Sequence, residues 1–473
     1  MAGPAARWTL IASILGSSMV FIDGTVVNVA LPALQRDLGG GLATQQWVVD
    51  AYLLTLGSLI LVGGSLGDIF GELKMFKLGV LLFGLTSVLC AVAPDSTTLI
   101  VFRALQGIAG ALLTPASLAM ITSTFTGDER GAAIGTWTAW SGISTVVGPL
   151  FGGFLLNVTT WRIIFVLNVP LALVTLALVM REMPRQRTGK PGVRVDLVGA
   201  ALCATGLAGI VAGFIEQPRL GWSSPAVAGG IAGGALFLVA FVVYEGRVPA
   251  PMLPLGLFRS RNFSVTNLET LAVYGALSAL FFFLTLFLQQ LAGYSPFRSG
   301  LAGVPVTIIM FILSRRIGAW SMRFGPRLFM AAGPIIAGLS VIALVRLPRH
   351  LDYWTELLPT MIGFAIGLSL TVAPLTTTVL SDAGPGNAGI ASGVNNAVAR
   401  IAGLVAIAAI GIAAAGGTDH LSVSGFHRSM AACAALLIGG GLIAAAGIRN
   451  PSTRSAGSPA MQPSAHPTAS PPR

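Results

Sequence analysis

Residues 64–76 read GSLGDIFGELKMF, and residues 318–330 read GAWSMRFGPRLFM. Set end to end, the two stretches agree at Gly64/Gly318, Phe70/Phe324 and Gly71/Gly325. Each places charged residues and turn-forming glycines between two apolar runs, as a short connecting loop requires. Working outward from them decides the architecture. A helix crosses a bilayer with about 20 apolar residues, because lipid offers its backbone no hydrogen-bond partner. Fourteen such runs are expected, at 8–30, 46–66, 75–93, 98–122, 131–156, 162–181, 196–215, 225–244, 265–291, 299–317, 327–346, 354–380, 388–414 and 425–448. The first loop joins runs two and three; its echo joins runs ten and eleven. An offset of eight predicts two six-helix halves with two helices inserted between them. The expected units are 1–181 and 246–449 for the halves, 182–245 for a linker with the inserted pair, and 450–473 for a disordered tail.

The rest of the composition agrees with an all-α integral membrane protein. The chain has 473 residues, of which 54% are hydrophobic and 10% charged, and a mean hydropathy of +0.82. A soluble domain with a single core lies outside that range. The net charge of +11 suggests nucleic acid at first, but its distribution points elsewhere. With both termini placed in the cytoplasm, Lys and Arg concentrate in the inner loops, above all in REMPRQRTGKPGVRVD (181–196), which is the positive-inside bias of a multi-pass inner-membrane protein. No nucleic-acid partner is expected. The first run has no small-residue cleavage site and reads as a retained helix. Cys90, Cys203 and Cys433 fall in unrelated runs, with neither metal spacing nor an expected disulfide. The last residues, rich in Pro, Ser and Ala, hold too little apolar surface to fold.

Charges inside the runs are the candidate working parts, since an ionisable group there costs a few kcal/mol (~2.5–3.5 on insertion scales) unless it meets a partner or a cavity. Asp23 lies roughly 12 Å below the outer end of its run, and Arg103 roughly one to two turns below the outer end of the fourth, at similar depth. A pair between them offsets much of the desolvation. Two roles stand open: a static bridge between helices, or a switch in which Asp23 takes a proton or a cationic substrate when the pair opens. Asp50, near the outer end of the second run, either reaches Arg103 or meets solvent. Glu269 lies about a turn inside the ninth run and faces either a wet vestibule or the cavity, where it would be a second proton or cation site. Arg400 is too deep to snorkel and is expected to face Asn395, Asn396 or the cavity. Asn28 and Asn395 complete the candidate cavity set. Gln289 and Gln290 are expected at headgroups or water. In the fifth run, Pro149 bends the helix, while Gly142, Gly148, Gly152 and Gly153 permit a close crossing.

An ordered series of motifs then resembles the major facilitator superfamily, and within it the fourteen-span drug:proton antiporters of the EmrB/QacA type. The series is DGTVVNVALP (23–32), WVVDAYLL (47–54), GSLGDIFG (64–71), FRALQGIAGALLTPASLAMI (102–121), GPLFGG (148–153), WRIIFVLNVPLAL (161–173), LFRSRNF (257–263), GYSPFRSGLAGVP (293–305) and AGIASGVNNAVARIAG (388–403). The resemblance covers nearly everything before the tail. It implies a major facilitator fold of 6 + 2 + 6 helices, proton coupling at Asp23 and Arg103, gating at Gly64, Asp68 and Gly71, and a seal against proton leak at Gly148, Pro149, Gly152 and Gly153. One motif departs from the pattern: Ile69 follows Asp68 where an Arg is usual, and Glu72 and Leu73 follow Gly71 where basic residues are usual, leaving Lys74 alone nearby.

No GxxxxGK[ST] loop and no His/Cys metal constellation occurs in the sequence, so neither enzyme chemistry, a cofactor nor ATP is expected. Energy must then come from an ion gradient or from another protein; one proton moving down 100 mV supplies about 2.3 kcal/mol. The expectation is a monomeric antiporter that exports amphipathic small molecules against protons by alternating access. A dedicated exporter of one endogenous metabolite is the alternative, with a non-transporting membrane sensor a third possibility.

Overall fold

The computed structural model describes residues 4–182, 195–249, 251–382, 388–415 and 420–450. The expected tail beyond residue 450 and residues 183–194 of the basic segment lie outside the described residues. Among those described, the regular structure is helical, and fourteen helices are long and apolar enough to cross a membrane. In chain order they begin with α1 (Pro4–Leu38), α2 (Leu42–Phe70), α3 (Glu72–Ala91), α4 (Ser96–Thr124), α5 (Gly127–Val158), α6 (Ile163–Val166) and α7 (Asn168–Glu182). The middle pair is α8 (Leu197–Leu220) and α9 (Pro225–Glu245). There follow α10 (Arg261–Leu286), α11 (Pro296–Ala302), α12 (Val304–Phe324), α13 (Pro326–Ile342), α14 (Leu358–Asp382), α15 (Ala388–Ala415) and α16 (Val423–Gly447).

Two expected spans are broken, each beside a proline. Pro170 has no N–H to return to the carbonyl of Val166, and the sixth span divides there into α6 and α7. Pro305, in the first turn of α12, divides the tenth span at Gly303 in the same way, and that span opens at Pro296, three residues before the expected start. The two echoing loops adopt the same turn. Gly71 (φ 94°) ends α2 and starts α3, and Gly325 (φ 85°) ends α12 and starts α13, both in a region that only glycine enters without strain.

The packing repeats as the loops do. α1 packs on α5 and α7, α3 on α4 and α7, and α2 on α4; in the second half α10 packs on α15 and α16, α13 on α14 and α16, and α12 on α14. The correspondence is α1 to α10, α2 to α12, α3 to α13, α4 to α14, α5 to α15 and α7 to α16. The inserted α8 and α9 pack on each other through bare backbone, with Gly209 against the Gly230 carbonyl and Gly234 against the Ile210 amide. Where α9 ends, the Leu253 N–H donates to Glu245 Oε2 at 2.9 Å and fastens the chain leading into α10.

Between the halves run two seams that the repeat makes equivalent, yet they differ. Along α2 and α15, Gln46 donates to the Ile407 carbonyl (2.7 Å), Gly57 lies against Arg400 and Ile401, and Leu61 against Gly393, so this seam is closed along its length. α8 packs across it with Leu207, Val211 and Ile215 among Trp47, Leu54, Leu404 and Ala408. The other seam, between α5 and the α11–α12 pair, closes only at the end remote from the chain termini. There the Pro149 carbonyl abuts Gly300, Gly153 abuts Pro296 and Phe297, and the Phe154 and Phe297 rings meet edge to face. The same face of α5 continues toward the terminal end as Thr145, Gly142, Ala139, Thr138 and Gly135, all exposed, with no atom within 4 Å of a Cβ placed on Gly135 or Gly142. A cleft therefore opens between α5 and α12 at the end that carries both termini.

Candidate functional site

A buried polar cluster lies inside the first half, built by five helices. α1 supplies Asp23 and α4 supplies Arg103, which form a salt bridge with side chains 0% and 1% exposed. Arg103 also donates through Nε to the Val48 carbonyl of α2 at 3.1 Å and through Nη1 to Gln106 Oε1 at 2.6 Å. The second carboxylate oxygen of Asp23 accepts from Gln106 Nε2 and from Asn168 Nδ2 of α7, each at 3.0 Å. Ser87 Oγ of α3 accepts from both amides, at 2.9 and 3.3 Å. The guanidinium rests on the Tyr52 ring, 4.2 Å from its centroid, with Phe165 at 5.7 Å on another side. A buried ion pair is tolerable only when its remaining donors and acceptors are met, and here charge, hydrogen bonds and an aromatic face meet them together.

The sequence predicted the pair but not its frame. Gln106 stands one turn after Arg103 on the same face of α4, so helical spacing held a signal for it. Asn168, the amide of the sixth span, and Ser87 gave none; only packing of α3 and α7 brings them in. Local structure holds Arg103 at its depth. Asp95 caps α4, accepting from the Thr98 N–H at 2.9 Å and from the Thr98 hydroxyl at 2.9 Å, and these bonds hold the Asp95 carboxyl below its usual range.

The other candidates are distributed differently. Asp50 does not reach Arg103: it lies on the face of α2 shared with Gln46 and Gly57, toward α15, whereas Tyr52 and the Val48 carbonyl serve α4. It is fully buried in the closed seam, with neither carboxylate oxygen hydrogen-bonded, and does not meet solvent. Arg400 turns across the seam to the first half, 5.9 Å from the Phe21 ring, with its Nε buried and unbonded. It does not pair with Asn395, which donates to Asn267 Oδ1 (3.2 Å) and Thr270 Oγ1 (2.8 Å) of α10, or with Asn396, which donates to the Ser392 carbonyl. Asn28 is half-buried on α1 with its Oδ1 unbonded. Glu269 is fully buried with neither carboxylate oxygen hydrogen-bonded, and so does not meet a wet vestibule.

At the gating positions, Gly148 lies over Ile22 and Thr25, and Gly152 over Val26, so α5 crosses α1 almost in backbone contact. Asp68 is exposed at the end of α2, and Gly64 faces Pro115. Glu72, which departs from the family pattern, accepts from Ser123 at 2.7 Å and ties the starts of α3 to the end of α4. Gln289 and Gln290 are half-buried and find protein partners. They bridge the halves at the far end, Gln289 to the Val29 carbonyl (2.9 Å) and Gln290 to Gln35 Oε1 (3.0 Å), because the π-helical turn at Phe287–Leu291 rotates them toward α1.

Comparison with known proteins agrees with this geometry. Residues 13–408 match the model of the Major Facilitator Superfamily. The chain is 38% identical over 426 residues to the puromycin resistance protein of Streptomyces alboniger, covering 88% of this chain and 84% of that one. It is 35% identical over 420 residues to the cephamycin export protein of Amycolatopsis lactamdurans, covering 88% and 86%. Among solved structures, a peptide transporter in complex with sulfate superposes with a TM-score of 0.66 at 16% identity, over 93% of each chain. A D-xylose–proton symporter gives 0.67 at 14% identity, over 94% of this chain and 98% of that one. At such identities the structures speak for the fold, and the sequence match speaks for descent: the chain belongs to the Major Facilitator Superfamily and is a membrane transporter, not an enzyme.

Proposed function

We propose that this transporter exports amphipathic organic compounds in exchange for protons, by rocking of units 1–181 and 246–449 about the cleft. The single observation behind it is the buried Asp23–Arg103 pair, in which Asp23 accepts from Gln106 and Asn168 and Arg103 donates to the Val48 carbonyl and Gln106, set in the helix that α5 crosses at Gly148 and Gly152. A shift of α1 against α4 exchanges Arg103 for other partners and changes how firmly Asp23 holds a proton, which couples proton movement to conformation. Glu269, Asp50, Asn28, Asn395 and Arg400 are the candidate substrate-contacting groups; Asp50 and Arg400 become so only where the α2–α15 seam parts. Gly64, Asp68, Gly71, Gly148, Pro149, Gly152 and Gly153 are the gating positions. Lys and Arg favour the loops at the terminal end, which supports both termini in the cytoplasm of a bacterial inner membrane and a cleft open inward. A monomer suffices, because each chain holds its own cavity. The relatives named for puromycin and cephamycin support efflux of organic compounds.

The test is proton-driven ethidium efflux in everted vesicles. Asp23→Asn and Arg103→Ala should each abolish it, and full activity in both variants would overturn the assignment. A second reading, export of one endogenous metabolite, is favoured by relatives named for a single antibiotic, such as the cephamycin exporter and the tetracenomycin C resistance and export protein of Streptomyces glaucescens. A substrate panel in a pump-deficient host separates the two: resistance to one compound class supports the narrow exporter.

A further inference from the structure

Glu269 is the buried carboxyl of α10, the helix that corresponds to α1, but it lies toward the terminal end where Asp23 lies toward the far end, and it has no arginine partner. Val265, Glu269 and Ala272 share a face of α10, spaced by one and two turns. α16 lies along that face: Gly447 meets Val265, and Gly440 meets Ala272, Val273 and the Glu269 carbonyl. In the repeat, α10 corresponds to α1 and α16 to α7, and Asp23 likewise reaches α7 through Asn168. The side chain of Glu269 is fully buried and neither Oε1 nor Oε2 has a hydrogen-bond partner; Thr266 Oγ1, one turn toward the terminal end, is buried and without a partner as well.

The charged groups on every element packed against α10 are distant in sequence from this level. α10 itself adds Arg261 at its first residue, and the turn before it Arg259; α14 carries Asp382 at its last residue, α15 carries Arg400, which faces Phe21, and α16 carries His427 and Arg428 in its first turns. α1 touches the far end of this segment, where Gln289 meets Val29. α13, the counterpart of α3, has only Arg327, which is bonded to the Ala445 carbonyl at the terminal end. α14, the counterpart of α4, has no arginine. An ionised carboxylate at Glu269 would therefore be desolvated with nothing to offset it, whereas a neutral carboxylic acid is stable there.

We propose that Glu269 is a second proton-binding site for transport, one that holds its proton by burial between α10 and α16 where Asp23 is governed by Arg103. It rests on the proton-coupled export proposed above and extends it: each half then contributes one carboxyl, and the substrate exchanges for two protons. The step is a plain proton transfer: the carboxylate takes H⁺ from hydronium in water admitted from the far side, leaving water, keeps it while α10 and α16 enclose it, and returns it to water at the terminal end of α10 past Thr266.

The test uses the full-length protein in liposomes with ethidium as the probe. Wild type should show the infrared carbonyl-stretch band of a protonated carboxylic acid near neutral pH, and Glu269→Gln should remove part of it. The number of protons moved per ethidium should be roughly halved in Glu269→Gln and restored in Glu269→Asp. An unchanged band in Glu269→Gln overturns the proposal. So does a lost band with an unchanged proton-to-ethidium ratio, which would make Glu269 a packing group. If wild type moves ethidium without protons, the export reading itself fails, an outcome distinct from either.

Discussion

Arg103 answers several demands with one side chain, and its replacements should separate them. Removing it leaves Asp23 buried with only amide donors, and breaking a buried pair on one side costs about 3–5 kcal/mol. Arg103→Ala should therefore lower the melting temperature of the purified protein further than Asp23→Asn, in which Arg103 keeps the Val48 carbonyl and Gln106. Arg103→Lys should retain more stability than Arg103→Ala, yet lose transport, because an ammonium cannot serve the Val48 carbonyl, Asp23 and Gln106 in the planar fork that the guanidinium provides. Asp23 and Arg103 were legible at this scale because a charge in an apolar run has few innocent explanations. Gln106, Ser87 and Asn168 were less so: uncharged polar residues are common in membrane helices, and nothing local marks those that converge.

Helix ends and helix crossings set where these side chains sit. Asp95 caps α4, the helix that carries Arg103. Its carboxyl is held below the usual range by the Thr98 N–H and hydroxyl, so the folded form has the lower pKa. The sign follows directly: the cap contributes fully above the unfolded value, about 3.9, and is lost as pH falls through the lower folded value. Hydrogen exchange should show the first turn of α4 fraying in Asp95→Ala at neutral pH, with Asp95→Asn close to wild type, since Asn caps as well. At the far end, a Cβ on Gly153 would come within 2.6 Å of the Pro296 carbonyl oxygen and 2.9 Å of Phe297 Cα. Backbone yields poorly, and overpacking of this kind costs about 1–3 kcal/mol, roughly 5- to 150-fold in a two-state balance. Gly153→Ala should weaken the far-end closure and appear as a proton leak in substrate-free liposomes; a tight membrane would refute the seal. Gly148 and Gly152 are kept small by α1 in the same way, whereas Gly142, expected at a close crossing, faces open space. The breaks beside Pro170 and Pro305 were less legible, because an uninterrupted apolar run conceals whether a proline bends a helix or divides it.

At the scale of the molecule, the inserted hairpin makes two equivalent seams unequal. α8 braces α2 against α15, so the cleft opens beside α5 instead. Single cysteines report this directly, because the native Cys90, Cys203 and Cys433 are all buried. Gly135→Cys and Gly142→Cys should label with a membrane-impermeant maleimide in everted vesicles, while Gly57→Cys and Gly393→Cys should stay protected. Equal labelling of all four would mean that the α2–α15 seam opens too. Equal protection would mean that the α5 face is covered.

The sequence by itself determined the class of solvent, the fourteen helices, the repeat and the buried acid with its arginine. Apolar length, glycine at a left-handed turn and the cost of a charge in lipid are properties of residues in order along the chain. Only the tertiary structure decided what each helix face meets. It put Asp50 in a seam and not beside Arg103, turned Gln289 and Gln290 onto the first half, and enclosed Glu269 between α10 and α16. The reason is geometric: successive residues of a helix are turned about 100° apart, so neighbours in sequence serve different partners, and the partner is set by packing of helices from distant parts of the chain.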